Sequence, residues 1–253
     1  MKPSYILAAA AALASSGCNA ERGNDAAVSE ATATEAVKPP ASGDWTEVVT
    51  GTSAGGFRMG NPDAKVKLVE FGSMTCPHCA AFDKNAVEPL TSKYVKTGQV
   101  SYEFRNYVRD PFDISASLIA RCNGSKSFFA LTHALFNDQQ AWIAKVQQAP
   151  PAQLEAVQNM GPDSQFLAIA KLADLQKWAS MRGVPTAKST QCLTDQASIN
   201  KLVEMNSDAT SAYPNFAGTP TFVINGKMVE LGQVTEAQVW PTLEAKIRAA
   251  LGS

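Results

Sequence analysis

The sequence predicts an α/β domain interrupted by an all-helical insertion. Three observations carry that expectation. The apolar run Val66-Lys67-Leu68-Val69-Glu70-Phe71 reads as a buried strand and leads into a helical pattern over 76–96. A helix-rich block over 112–210, dense in Ala, Leu and Gln, then separates this unit from any further β character. Finally, Thr219-Pro220-Thr221-Phe222-Val223-Ile224 and Lys227-Met228-Val229-Glu230-Leu231 flank Asn225-Gly226. That dipeptide is a strong hairpin signal, because both turn residues must tolerate positive φ.

Taken in order, Trp45-Thr46-Glu47-Val48-Val49 reads as a first strand, and Gly60-Asn61-Pro62-Asp63 marks a turn. Residues 65–71 form the central strand. In the helix over 76–96, Ala80, Ala81, Phe82, Val87, Leu90 and Tyr94 recur on roughly one side. Residues 99–108 alternate as another strand, which Arg109-Asp110-Pro111 breaks. Pro150-Pro151, Gly161-Pro162 and Gly183-Val184-Pro185 divide the helical block into short helices. Residues 235–251 read as a closing amphipathic helix. The α/β portions are thus 45–111 and 211–253, with the insertion at 112–210.

The first eighteen residues read as an export signal. Lys2 supplies the positive start, Tyr5 to Ala14 a short apolar stretch, and Ser15-Ser16-Gly17 the small residues before Cys18. A run of small residues ending in Gly-Cys resembles the lipobox of bacterial lipoproteins, which makes Cys18 a candidate for lipidation and a membrane anchor. Ser15 stands where Leu is usual, and ordinary cleavage near Ala20 is the alternative. Residues 19–44 lack hydrophobic periodicity, carry Pro39-Pro40 near their end and read as a disordered linker. The expected location is periplasmic. The chain has 253 residues, 45% of them hydrophobic, and a net charge of -1, which gives no electrostatic case for nucleic acid.

Chemistry concentrates at Cys76-Pro77-His78-Cys79, six residues beyond Glu70. Two thiols at this spacing can close a disulfide across one helical turn and switch between dithiol and disulfide. Pro77 fits the first turn of a helix, where a missing N–H costs nothing. A metal site is the rival, but Cys76, His78 and Cys79 without a second cluster make a poor closed zinc site. We expect neither metal nor cofactor.

With Glu70-Phe71, Cys76-Pro77-His78-Cys79 and Gly218-Thr219-Pro220-Thr221-Phe222, residues 45–253 resemble the DsbA-like branch of the thioredoxin superfamily, the exported bacterial thiol:disulfide oxidoreductases. The resemblance implies a thioredoxin-like fold with an inserted helical domain. It makes Cys76 the reactive thiol, stabilised as thiolate at a helix N-terminus, and Cys79 the buried resolving thiol. His78 would add a donor or positive charge near the Cys76 sulfur, and Glu70 would help move the Cys79 proton. Pro220 would be a cis-proline facing the disulfide, and the Thr219 backbone would pair with extended substrate. Phe216, Met74 and Phe222 are candidates for apolar surface nearby or for core. Cys122 and Cys192 are expected to form a structural disulfide, whereas His133 reads as a helix-surface or satisfied core histidine.

Partners implied are reduced or unfolded exported proteins and a membrane reoxidising protein similar to DsbB. Pro-His between the cysteines is similar to the oxidant members, while Thr219 is similar to isomerase branches. An isomerase or reductase kept reduced therefore stays open beside the oxidase reading, as does a non-enzymatic tethered module holding unfolded chains.

Overall fold

Seven residues of nearly unbroken apolar character, Val66–Gly72 (β3), form the centre of a six-stranded sheet in a computed structural model that describes residues 38–252. The export signal, Cys18 and most of the linker lie outside the described residues. Strand order is β1 (Val49–Gly51), β2 (Phe57–Met59), β4 (Val100–Asn106), β3, β5 (Thr221–Ile224) and β6 (Lys227–Met228). Only the β3–β4 pair is parallel, as expected of strands joined by a helical crossover.

Two strand expectations need correction. Trp45–Glu47 is a 3-10 turn, because Asp44 accepts from the Thr46 amide at 2.9 Å and its hydroxyl at 2.6 Å. Strand β1 starts only at Val49. Strand β2 had no sequence signal, being three residues between glycines, too short for a period. The folded chain also begins before Trp45, since the Gly43 amide closes a turn on the Pro40 carbonyl at 2.8 Å. At the other end the hairpin turn is as expected, with Asn225 at φ 49° and Gly226 at φ 79°. Its second strand is shorter than the apolar run, ending at Met228.

The helix expected over 76–96 runs as α1 (Pro77–Phe82), a π-helical turn (Asp83–Val87), α2 (Glu88–Leu90) and a second π-helical turn (Thr91–Val95). Pro89 explains the widening, since it has no N–H to donate four residues back and its ring crowds that carbonyl. Eight helices follow β4: α3 (Pro111–Arg121), α4 (Phe128–Asn137), α5 (Gln139–Gln147), α6 (Pro151–Gln158), α7 (Pro162–Leu172), α8 (Leu175–Ser180), α9 (Thr186–Leu193) and α10 (Gln196–Ala212). Helix α11 (Glu236–Leu251) closes the chain behind a Thr235–Gln238 capping box.

One sheet face packs Val66, Leu68, Tyr102 and Phe222 against Phe82 and Leu90 of the long helix and Leu243 and Ile247 of α11. The opposite face carries Val69, Phe71 and Val223 against Ala209 of α10. The helical block shares a core with the site region: Met74, Cys76, Cys79 and Phe104 pack with Ile119, Phe128, Leu131 and Leu135. Among the described residues no helix is long and apolar enough to cross a membrane.

Candidate active site

The site is built where β3 ends and α1 begins. Cys76 is the N-cap of α1, with extended backbone (φ -84°, ψ 119°), and Pro77 takes the first helical position. The turn before it is held by groups the sequence did not announce. Asp113, buried near the start of α3, accepts from the Ser73 hydroxyl at 2.5 Å, the Met74 amide at 2.8 Å and the Arg109 amide at 3.0 Å. Arg109 returns to the Ser73 and Thr75 hydroxyls, each at 3.0 Å. Gln139, buried at the start of α5, donates to the Met74 carbonyl at 2.8 Å and the Cys76 carbonyl at 3.0 Å. These long-range hydrogen bonds fix the position of the first sulfur before any substrate arrives.

Across the sheet, the loop into β5 brings Thr219-Pro220 over the sulfur. The Thr219–Pro220 bond is cis, and Gly218 before it takes φ 137°, a value that only glycine adopts freely. Cys76 Sγ lies 3.2 Å from the Thr219 carbonyl oxygen. The Thr219 hydroxyl is buried and has no other partner.

Both thiols are sealed, Cys76 at 1% and Cys79 at 0% exposure, and both are free. Their acidities nonetheless diverge. The Cys76 thiol is lowered to about 5, first by the Cys79 thiol donating to it, with the Thr219 hydroxyl and the Cys79 and His78 amides adding to that against the cost of burial. Cys79 is pushed well above its ordinary value by burial, by its donation to Cys76 and by the Glu70 charge. One sulfur is held as an anion and its neighbour as a thiol.

Glu70 is 1% exposed. The two-residue period of β3 puts it on the face of Val66 and Leu68, beneath the long helix. Burial, opposed by a hydrogen bond from Tyr102 and reinforced by the Asp83 and Cys76 charges, pushes its carboxyl up to about 8. Tyr102 donates to Glu70 Oε2 at 2.5 Å, while Oε1 has no partner. Tyr102 pairs with Leu68 in register, two residues from Glu70 on the same face. A single-strand reading offers no signal for that diagonal contact.

His78 sits differently from the expectation drawn for its ring. The imidazole is exposed and bonds Glu236 of α11 at 2.8 Å, and the residue reaches the Cys76 sulfur through its backbone amide. Met74 and Phe222 are core, whereas Phe216 is half-buried and stacks edge-on against Phe71 at 5.4 Å. Cys122, at the end of α3, and Cys192, in α9, are joined as a disulfide with Cα atoms 5.6 Å apart. Among the described residues no three His, Cys, Asp or Glu side chains converge as a metal-ligand set.

Two grooves flank α1. A largely apolar one of about 280 Å³ runs past Pro220 and His78 between Phe82, Leu231, Val234 and Val239. The other, about 520 Å³, lies between Pro77, Ala81 and Lys84 on one side and Asn137 and Gln140 on the other.

Comparison with known proteins agrees with this fold. The family model described as Thioredoxin matches residues 52–245. A protein of Rickettsia bellii, named a candidate protein-disulfide oxidoreductase, is 30% identical over 173 residues, covering 68% of this chain and 58% of its own. The chain spans little more than half the length of such curated relatives. The crystal structure of a protein-disulfide isomerase from Novosphingobium aromaticivorans is similar at TM-score 0.72 and 32% identity, covering 81% of this chain and all of the other. Alpha-DsbA1 of Wolbachia pipientis shares the fold at TM-score 0.57 and 22% identity, over 77% of this chain and 90% of its own. The chain belongs to the thioredoxin family.

Proposed function

We propose that this protein is a thiol:disulfide oxidoreductase that introduces disulfides into exported proteins through Cys76 and Cys79. The observation that carries the reading is the asymmetry of the two sulfurs: Cys76 lowered to about 5 at a helix N-cap, Cys79 sealed beneath it and raised. An anion at Cys76 stabilises the dithiol form relative to the disulfide. At pH 7 the interval from about 5 counts, which is on the order of 3 kcal/mol, or roughly 60 mV toward an oxidant.

In the forward reaction a substrate thiolate attacks Cys76 Sγ of the enzyme disulfide. The Cys76–Cys79 bond breaks, its electron pair goes to Cys79, and a mixed disulfide forms. A second substrate thiolate then attacks the substrate sulfur and expels Cys76 as a thiolate. The substrate gains one disulfide and the enzyme is left as a dithiol. Glu70 is the near proton donor to Cys79, the cis-proline loop offers its Thr219 backbone to extended substrate, and the apolar groove beside Pro220 accommodates substrate side chains. Turnover requires reoxidation by a membrane protein similar to DsbB. The export signal read from residues 1–18 supports a periplasmic location, with Cys18 as the site of a lipid anchor.

Isomerisation is the second reading, favoured by Thr219 before the cis-proline and by the name of the similar Novosphingobium protein, a protein-disulfide isomerase. The reduction potential decides between them. We expect a value well above that of thioredoxin, together with oxidation of a reduced, unfolded protein that is lost in Cys76→Ser. A potential near that of thioredoxin would transfer the assignment to an isomerase or reductase. Full oxidase activity in Cys76→Ser would remove the dithiol assignment altogether.

A further inference from the structure

One ionisable pair outside the residues assigned above joins a buried carboxylate on the Cys79 helix to an exposed imidazole. Asp83 follows Cys79 by four residues, about one turn along the same helix, and opens the π-helical turn Asp83–Val87. Its side chain is 8% exposed, and Oδ2 lies 2.5 Å from Nδ1 of His133 on α4. The imidazole is 52% exposed, with Nε2 3.0 Å from the Asn137 amide nitrogen. On its inner side, the Asp83 charge acts on Glu70 of β3 and Tyr102 of β4, and the Glu70 charge acts on Cys79. From α4, His133 acts on Asp83.

A carboxylate buried to this degree is costly unless something answers it, and among the described residues its hydrogen-bond partner is an imidazole that itself faces water. An ordinary ion pair would end there. This one instead lies between solvent and a thiol that must gain or lose a proton at each turnover while having no exposure of its own.

We propose that His133 and Asp83 form the solvent-facing end of a proton path serving Glu70 and Cys79. The inference rests on the dithiol chemistry of the proposed function, and on neither direction of it. When Cys79 leaves as a thiolate, Glu70 protonates it, and His133 restores the Glu70 proton by way of Asp83. When Cys79 attacks, its proton departs along the same groups. His133 and Asp83 touch no reacting sulfur and act through Glu70, so both are positioning residues.

The test follows a single chemical step. The protein is prepared with Cys76 in mixed disulfide with glutathione, and release of glutathione is timed between pH 5 and 8. In that step the Cys79 sulfur attacks Cys76 Sγ, the Cys76–Cys79 bond forms, glutathione leaves as a thiolate and the Cys79 proton goes to solvent. We expect His133→Ala to slow release about 10-fold between about pH 7 and 8, where a free imidazole acts as a base, with an altered pH profile. Millimolar imidazole should restore His133→Ala and leave Asp83→Asn slow, because the small base replaces the missing ring but not the carboxylate. Iodoacetamide trapping of Cys76 should be unchanged in both variants. Release profiles superimposing on the parent protein, or a slow His133→Ala with no response to imidazole, would overturn the path. Should Asp83→Asn not fold, the half-exposed His133 and its rescue carry the test alone. A parent protein that never releases glutathione would remove the dithiol function itself, and this inference with it.

Discussion

The Thr219 carbonyl oxygen sits 3.2 Å from the Cys76 sulfur, although 143 residues separate them in the chain. The whole helical block lies within that interval, so the fold must close a long loop to complete its most reactive atom. The same residue offers a buried hydroxyl that has no other partner, and that hydroxyl helps to lower the Cys76 thiol to about 5. A hydroxyl in this position is idle beside a thiol and becomes a donor once the sulfur carries charge.

Thr219→Val keeps the shape of the side chain and removes that donor. Hydrogen bonds to charged groups are worth about 1.5–3 kcal/mol, so we expect the midpoint of Cys76 alkylation to rise by roughly one pH unit. The reduction potential should fall by about 30 mV in step, since the thiolate is less stabilised. Alkylation rates across pH, beside a glutathione equilibrium titration, measure both. An unmoved midpoint would show that the Thr219 hydroxyl does not reach the anion.

Glu70 makes a prediction of the opposite sign for stability. Its carboxyl is pushed from an ordinary value of 4.5 up to about 8, chiefly by burial. Between those values the folded chain binds more protons than the unfolded one, so this group's contribution falls as pH rises through the window. Glu70→Gln removes the titration and retains a polar partner for Tyr102. The Tm of the variant minus that of the parent should therefore grow more positive from pH 5 to pH 8, by roughly 3 °C or more. Exchange at Cys79 should slow about 10-fold in the same variant, because the near proton donor is gone. A Tm difference flat across pH would mean that the buried carboxyl does not titrate in the folded state.

Gln139 tests the clamp on the turn before Cys76. Truncation to Ala leaves the Met74 and Cys76 carbonyls without their buried donor. A loss of about 2 kcal/mol is expected, seen in urea as a lower midpoint at unchanged slope. Gln140→Ala, one residue along and exposed, should stay within about 0.5 kcal/mol. Equal effects from the two would relocate the anchor of this turn to Asp113 and Arg109.

The chemistry was far more legible in the sequence than the scaffolding around it. Cys76 and Cys79 declare themselves through local context, a two-cysteine spacing where a strand runs into a helix, whereas Glu70 and Pro220 are singled out by the family resemblance. Asn225-Gly226 likewise forces its own turn, with both φ values positive. What stayed hidden depends on partners far away in the chain. Asp113 could be read as an early-turn acid, since Asp110 caps α3 and accepts from the Asp113 amide, but nothing local tells that its carboxylate holds Ser73 and Met74. Tyr102 alternates correctly in β4, yet its contact with Glu70 needs the β3–β4 register. Trp45–Glu47 misleads because a side-chain cap from Asp44 outweighs the β preference of Trp45 and Thr46. His133 carries an ambiguous pattern, and only the approach of α4 to the long helix reveals Asp83 beneath it.

The Cys122–Cys192 bridge yields the last prediction, because it separates structural from catalytic sulfur. Its two cysteines stand 70 residues apart and tie the end of α3 to α9, both within the helical block. Closing a loop of that length restricts the unfolded chain and contributes roughly 4 kcal/mol in the chain-entropy model. The double variant Cys122→Ser/Cys192→Ser should therefore lose stability of that order while Cys76 still titrates near 5, since neither residue is among the groups that set its acidity. Denaturant unfolding gives the first quantity and alkylation against pH the second. Because both cysteines are only half-buried, an exchange role is the competing account of the pair. A variant with nearly full stability but altered oxidase turnover would favour that account, since a bridge that stabilises through the unfolded state cannot be removed without cost.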